Sequence, residues 1–395
     1  MPSRSKNPFQ FGRELGPAEL VDRLTELALV AEAIERRSKL FLIGPRRYGK
    51  TSILRVAAAL AEQGGATVMR YDAQAFPAIS DLAERIAADT VQRLTTSVER
   101  AGRAVTDFFG SVRPTAAYDP IEGTWTLSLA GTAHRATGGA LLADVLDGVE
   151  RAASKTNRQV AVIIDEFQEL IEHGGESAEE QIRAAIQRHS HVAYVFAGSK
   201  TRLLADMVSD ASRPFYRLGT VHFLGPIPQA DFAEFLSKAF QRSGLVITDT
   251  GVEAILSLAS NVPYNVQALA SACWDRVITA GSAAGGTTPS VVDAAFVAAV
   301  GDAEARRLDP LYSQMWSDLT APQRQALLAV IRERGTALTA TATAKRYRVP
   351  VSTMQRALLA LETKLIIRRE HADASASYRM EDPLFLAWIT LITAR

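Results

Sequence analysis

A glycine-bearing octapeptide, Gly44-Pro45-Arg46-Arg47-Tyr48-Gly49-Lys50-Thr51, stands between the apolar run LFLI and the helix-forming stretch TSILRVAAALAEQ. Glycines let such a loop wrap so that backbone N–H groups point inward at phosphate oxygens, and the helix behind it adds the positive end of its dipole. The spacing assigns Lys50 to the β- and γ-phosphates of a nucleotide and the Thr51 hydroxyl to Mg²⁺, with Ser52 continuing the same turn. A strand must deliver this loop and a helix must receive it, so the octapeptide already asks for an α/β sheet.

The rest of the first half supplies that sheet. Short, bulky apolar runs recur at Leu40 to Ile43, Thr67 to Tyr71, Val160 to Ile164, Val192 to Phe196 and Val221 to Leu224, separated by helical periodicity. Consecutive apolar positions are expected of strands buried on both faces, and five of them predict a parallel five-stranded core. Asp165 and Glu166 follow the third run, at the strand end where ligands gather in open α/β sheets. Asp165 is placed to hold Mg²⁺ and Glu166 to polarise an attacking water, although paired acids after a strand also suit a helix start. Ser199 follows the next run and either senses the γ-phosphate or caps a turn. Arg213 and Arg217, in SRPFYRLGT, either neutralise charge on a transferred phosphoryl group or sit solvated.

Composition narrows the setting. The chain has 395 residues with Lys+Arg 44 against Asp+Glu 43, a balance that argues against a uniformly basic nucleic-acid coat or an acidic tail. Its single cysteine, Cys273, forms no internal disulfide, no Cys/His cluster has zinc spacing, and no apolar run reads as a leader or a membrane span, so a cytoplasmic location is expected. A hairpin insert is expected near 116–130, with a turn at Pro120 to Gly123, followed by a helix from Leu141 to Ala153. Helical periodicity resumes after Gln229 and is interrupted by the flexible run GSAAGGTTP, Gly281 to Pro289. The domains expected are an α/β core over 1–225, an α-helical lid over 226–300 and a C-terminal domain over 301–395.

Taken together, FQFGRELG, LVDRLTEL, LFLIGPRRYGKTSIL, VAVIIDEFQEL, YVFAGSK, RPFYRLGTVHFLGPI and NVPYNVQALA resemble the archaeal-type P-loop ATPases of the STAND and AAA+ assemblage, over nearly the whole chain. The resemblance implies ATP and ADP as ligands, Mg²⁺ bound by Thr51 and Asp165, and Glu166 as catalytic base. It further implies that Arg23 lines the base side of the nucleotide, that Pro263 belongs to the lid motif, and that Arg217 is the arginine before the fifth strand. Asn261 stands where that lid motif usually has glycine. The activity implied is a slow Mg²⁺-dependent ATPase switch. Two rivals are a scaffold whose nucleotide is never turned over and a motor-like ring with an arginine acting between subunits, which would make the chain a nucleotide-dependent homo-oligomer.

The C-terminal part carries its own signal. Residues 320–395 hold 12 Lys and Arg against 6 Asp and Glu. Ala321 to Arg334, Thr339 to Arg348 and Ser352 to Leu365 read as three helices, the third capped by Ser352, with Leu358, Leu359, Leu361 and Leu365 as its core. Ile366 to Arg369 and Ser377 to Met380 read as two strands joined by HADASA, which makes a winged helix. Its partner is either double-stranded DNA or a client protein. For DNA, Thr353, Gln355 and Arg356 would enter the major groove, while Lys345, Arg346, Arg348, Arg368 and Arg369 approach phosphates.

Overall fold

The computed structural model describes residues 6–95, 107–109, 115–119, 124–128, 137–199, 201–283, 291–372 and 375–393. They form two compact units, one running from Gly12 to Ile227 and the other combining the segment up to Phe11 with Pro228 onward. The N-terminal residues expected with the α/β core are thus divided at Phe11.

In the first unit five strands, β1 (Lys39–Ile43), β2 (Thr67–Asp72), β5 (Val160–Asp165), β6 (Val192–Gly198) and β7 (Thr220–Phe223), form one sheet in the order β2-β5-β6-β1-β7. All four pairings are parallel. Every residue of β5 and β6 is buried, whereas β2 and β7 at the edges are partly exposed, which is why the central runs are apolar without alternation. Helices among the described residues of this unit include α1 (Leu24–Glu35), α2 (Lys50–Gln63), α3 (Ile79–Leu94), α4 (Gly138–Thr156), α5 (Gln168–Ile186) and α6 (Thr201–Ser209). The insert forms an antiparallel hairpin, β3 (Thr115–Asp119) with β4 (Thr124–Ser128); its expected turn at Pro120 to Gly123 lies outside the described residues. β4 runs beside α3.

An aromatic cluster fixes the middle of this unit. Phe167, directly after Glu166, packs 4.4 Å from Phe196 of β6 and 5.4 Å from Phe215, measured between ring centroids, and Phe41 of β1 lies 5.2 Å from Phe196. All four rings are wholly buried. Burying a phenylalanine stabilises by roughly 1.5–3 kcal/mol, so the acidic strand end and the loop holding Phe215 are pinned by the same core.

The second unit holds α7 (Gln229–Arg242), β8 (Val246–Ile247), α8 (Asp249–Leu258), α9 (Pro263–Ala283), β9 (Val291–Val292), α10 (Ala294–Arg307) and α11 (Asp309–Ser317). It continues with α12 (Ala321–Arg332), α13 (Thr341–Arg346), α14 (Val351–Thr363), β10 (Ile367–Ala372), β11 (Ser375–Met380) and α15 (Pro383–Thr393). Phe9 is buried here with its ring 4.8 Å from that of Phe240, and Asn7 bonds Ser271 and Asp275, so the N-terminal segment is part of this core. Of the expected flexible run, Gly281 still belongs to α9, and residues 284–289 lie outside the described residues.

The three helices and two strands read in the tail are present, with corrections. Pro350, not Ser352, is the N-cap of α14, and no side chain caps it, so the fixed φ of proline starts the helix and Ser352 falls inside its first turn. Leu359 and Leu365 are 54% and 41% exposed, while Leu358 and Leu361 are buried beside Leu327, Met354 and Phe385. Three- and four-residue spacing puts Leu358 and Leu361 on one stripe and leaves Leu359 on the next face, and Leu365 lies beyond the helix end with φ +55°. The wing strands are also longer than read, pairing from Ile367↔Met380 to Ala372↔Ser375, because ladder pairing carries polar residues that alternation alone leaves out.

Candidate nucleotide site

The phosphate loop leaves the C-terminal end of β1 and enters α2. Two left-handed residues, Arg47 at φ +68° and Gly49 at φ +88°, wrap it. Glycine takes such angles without strain, whereas an L side chain costs roughly 1–2 kcal/mol there. Gly44 has a different reason: a Cβ on it would meet Cβ of Leu224 at 2.6 Å, so only glycine lets β1 exit against β7.

Lys50 is buried and its Nζ donates to the carbonyls of Gly44 (2.8 Å) and Pro45 (3.0 Å). The Thr51 hydroxyl donates to Oδ2 of Asp165 at 2.7 Å, joining the loop to the neighbouring strand end although 114 residues separate them. Asp165 is buried, and that burial lifts its pKa above the usual carboxylate value, against the pull of Thr51 and Lys50. Glu166 takes the left-handed conformation, φ +50°. One of its oxygens, Oε2, accepts three donors: Gln168 Nε2 (2.5 Å), the Ser199 hydroxyl (2.7 Å) and the Ser199 amide (3.2 Å). Burial pushes the Glu166 pKa up, but the bonds from Gln168 and Ser199 with the charge of Lys50 outweigh it and hold the carboxyl below its usual value. Arg46 closes the group, its Nε donating to the Ser199 hydroxyl at 3.4 Å.

Gln168 is the residue that sequence reasoning missed. It is wholly buried, and Gly198 makes room for it, since a Cβ there would meet Gln168 Oε1 at 2.1 Å. The available signal was a polar residue in VAVIIDEFQEL, one position beyond a phenylalanine that had to be core.

Other expected residues are placed differently. The Ser52 hydroxyl turns away from the loop and accepts from the Leu15 amide at 3.0 Å. Arg23 is buried, with its guanidinium on Glu26 (3.0 Å), the Gly225 carbonyl (3.0 Å) and the Tyr48 carbonyl (3.4 Å). It ties α1 to the loop and to the exit of β7, and burial draws its pKa down against the charge of Glu26. Arg213 is paired with the wholly buried carboxylate of Glu179. Arg217 is exposed and lies over the Tyr216 ring, 5.1 Å from its centroid. It precedes β7, and Thr220 is in register with Leu40, so Arg217 stands at the entry edge of the sheet. The phosphate loop is at the exit edge, and strands rise about 3.3 Å per residue, so most of a strand length separates Arg217 from its own loop.

Pro263 opens α9 in the second unit, after Ser260 at φ +52° and Asn261 at φ +53°. Asparagine tolerates that region better than most side chains, so Asn261 keeps the backbone form that glycine would give. On the winged helix Lys345, Arg346, Arg348, Gln355, Arg356 and Arg369 are exposed and Thr353 is half-buried. Arg346 is held by Glu333 at 2.7 Å. Arg368 is corrected: it is buried and faces Glu370 (3.3 Å) and Glu381 (3.6 Å), so it braces the wing and presents no charge outward. No group of three or more His, Cys, Asp or Glu side chains that could hold a metal ion occurs among the described residues, and no helix among them is long and apolar enough to cross a membrane.

A parallel sheet in this order, with a phosphate loop beside an acidic strand end and a winged helix downstream, defines a P-loop ATPase carrying a winged-helix domain. Residues 20–267 match the family described as "ATPase domain predominantly from Archaea", and residues 310–391 match a "Probable winged helix domain". The chain belongs to that ATPase family. No curated protein matches it. Among solved structures it is similar to a Walker-type ATPase of Pyrococcus abyssi, with 18% identity over 97% of this chain and 99% of the other and a TM-score of 0.56. It is also similar to the Aeropyrum pernix ORC2 protein in its ADPNP-ADP complexes, with 15% identity over 99% of each chain and a TM-score of 0.54.

Proposed function

We propose that the chain is a Mg²⁺-dependent, STAND/AAA+-type ATPase switch whose nucleotide state is passed to double-stranded DNA through the winged helix, in the cytoplasm. The observation that carries the reading is the bond from Thr51 to Asp165, which joins the phosphate loop to the acidic strand end. Hard oxygen donors of this kind suit Mg²⁺, which Thr51 and Asp165 would hold directly or through water. When bound, the ion would offset phosphate charge. Lys50 exchanges its loop carbonyls for phosphate oxygens, Glu166 orients water, and Ser199 with Gln168 positions Glu166. The lowered pKa of Glu166 keeps it an anion that accepts from water at neutral pH. Such a switch works only if ATP and ADP favour different arrangements of the protein.

The exposed Gln355 and Arg356 on α14, with Lys345, Arg348 and Arg369 nearby in sequence, favour DNA over a protein client, because basic side chains beside a helix of this kind neutralise phosphates. Phosphate release with and without duplex DNA tests the reading. Turnover that DNA stimulates, and that Glu166→Gln lowers by about 10²-fold or more while ATP stays bound, is expected. Zero turnover with tight ATP binding would favour the scaffold reading, and equal turnover in Glu166→Gln would remove Glu166 from its role.

A further inference from the structure

We infer that Arg46 is the cation this chain supplies, within one subunit, to the phosphoryl group in transfer. The inference rests on the ATPase reading above and adds a residue to its chemistry. Arg46 is the third residue of the loop, exposed at the exit edge of the sheet, and its Nε bonds the Ser199 hydroxyl at 3.4 Å. That hydroxyl donates to Glu166 Oε2 at 2.7 Å. The guanidinium is therefore one hydrogen-bonded atom from the carboxylate that orients water, which puts it on the γ-phosphate side of the loop. Lys50 is held against the Gly44 and Pro45 carbonyls at the base of the same loop.

The two arginines of SRPFYRLGT are held elsewhere. Arg213 is paired with Glu179, and Arg217 stands at the entry edge, most of a strand length from its own loop. The loop has glycine only at Gly44 and Gly49, and its Arg46 directs a planar, multi-donor guanidinium to Ser199.

Water and ATP are the only reactants. The water oxygen forms a bond to the γ-phosphorus as the bond to the β,γ-bridging oxygen breaks, and the bridging electron pair stays on ADP. The water proton passes to Glu166 and then to solvent. Negative charge gathers on the γ-oxygens and the bridging oxygen, and Arg46, released from Ser199, stabilises it. Removing one preorganised donor of this type costs roughly 10²–10³-fold in turnover.

The test uses the full chain with Arg46→Ala and Arg46→Lys in single-turnover hydrolysis, together with calorimetric titration of Mg-ADP in the absence and presence of aluminium fluoride. Arg46→Ala is expected to slow turnover about 10²-fold, to change ADP affinity less than about threefold, and to lose the tightening that aluminium fluoride gives the wild type. Arg46→Lys should fall between the two, since an ammonium keeps the charge without the planar fork. Wild-type turnover per molecule should not depend on protein concentration. Unchanged turnover and unchanged aluminium fluoride tightening in Arg46→Ala would overturn the inference, as would equal weakening of ADP without and with aluminium fluoride, which marks a binding role alone. A wild type that binds no nucleotide would instead sink the ATPase reading, and with bound ATP but no turnover the aluminium fluoride titration still decides for Arg46.

Discussion

Asp165 shows what the site costs. It is an almost fully buried carboxylate whose pKa is raised chiefly by loss of water, so folding disfavours its charged form. A group with a raised folded pKa favours the fold below its unfolded value and loses that contribution as pH rises through the folded one. At neutral pH Asp165 therefore weakens the nucleotide-free protein. Asp165→Asn should keep a bond with Thr51 and raise the melting temperature at pH 7 by about 2–4 °C, a gain that shrinks toward pH 4, while Mg-ATP binding and turnover are lost. Scanning calorimetry at both pH values checks the sign; a lower melting temperature at pH 7 would refute it. The left-handed φ of Glu166 belongs to the same pattern, since strain tolerated at one residue fixes the carboxylate toward Ser199 and Gln168. At this scale the sequence told which residue types meet but not where they point. Lys50, Thr51 and Asp165 were legible because a phosphate loop and an acidic strand end come as a pair. Ser52 and Arg23 were not, since a hydroxyl in a helix start and an arginine before a helix look the same whether they face a ligand, the Leu15 amide or the Gly225 carbonyl.

Elements were read best where periodicity is local. The five buried strands were legible from runs of apolar residues because both faces of the sheet are covered. The wing was read too short because its strands continue through Glu370 and His371, and only the partner strand reveals that pairing. Leu359 and Leu365 were misplaced because leucine type carries less information than its angular position. Arg368 makes the corresponding prediction. Its buried guanidinium serves Glu370 and Glu381, so Arg368→Ala should destabilise the winged helix by about 2 kcal/mol, whereas Arg356→Ala should leave stability unchanged and lower affinity for duplex DNA. Thermal unfolding and a fluorescence anisotropy titration separate the two, and a stable Arg368→Ala protein that binds DNA less well would reverse the assignment.

For the whole molecule, the division into two units follows contacts that join distant parts of the chain. Asn7 bonds Asp275, 268 residues away, and Phe9 packs on Phe240, so no local pattern could show that the first residues leave the α/β unit. Glu14 and Leu15, only a few residues later, are held in the α/β unit by Arg70 (2.9 Å) and Ser52 (3.0 Å). Saturating Mg-ATP should stabilise the unit spanning Gly12 to Ile227 by about 2.7 kcal/mol at a hundred times its Kd, read as protected amides in hydrogen exchange. Uniform protection in Lys50→Ala would count against nucleotide acting through the loop. The most direct measurement is calorimetric titration of ATP into the wild type and Lys50→Ala with and without Mg²⁺. Metal-dependent binding by the wild type, weakened at least about 10²-fold in the variant, is what a triphosphate seated on Lys50 requires. Equal binding by the two proteins, or none by the wild type, would contradict it.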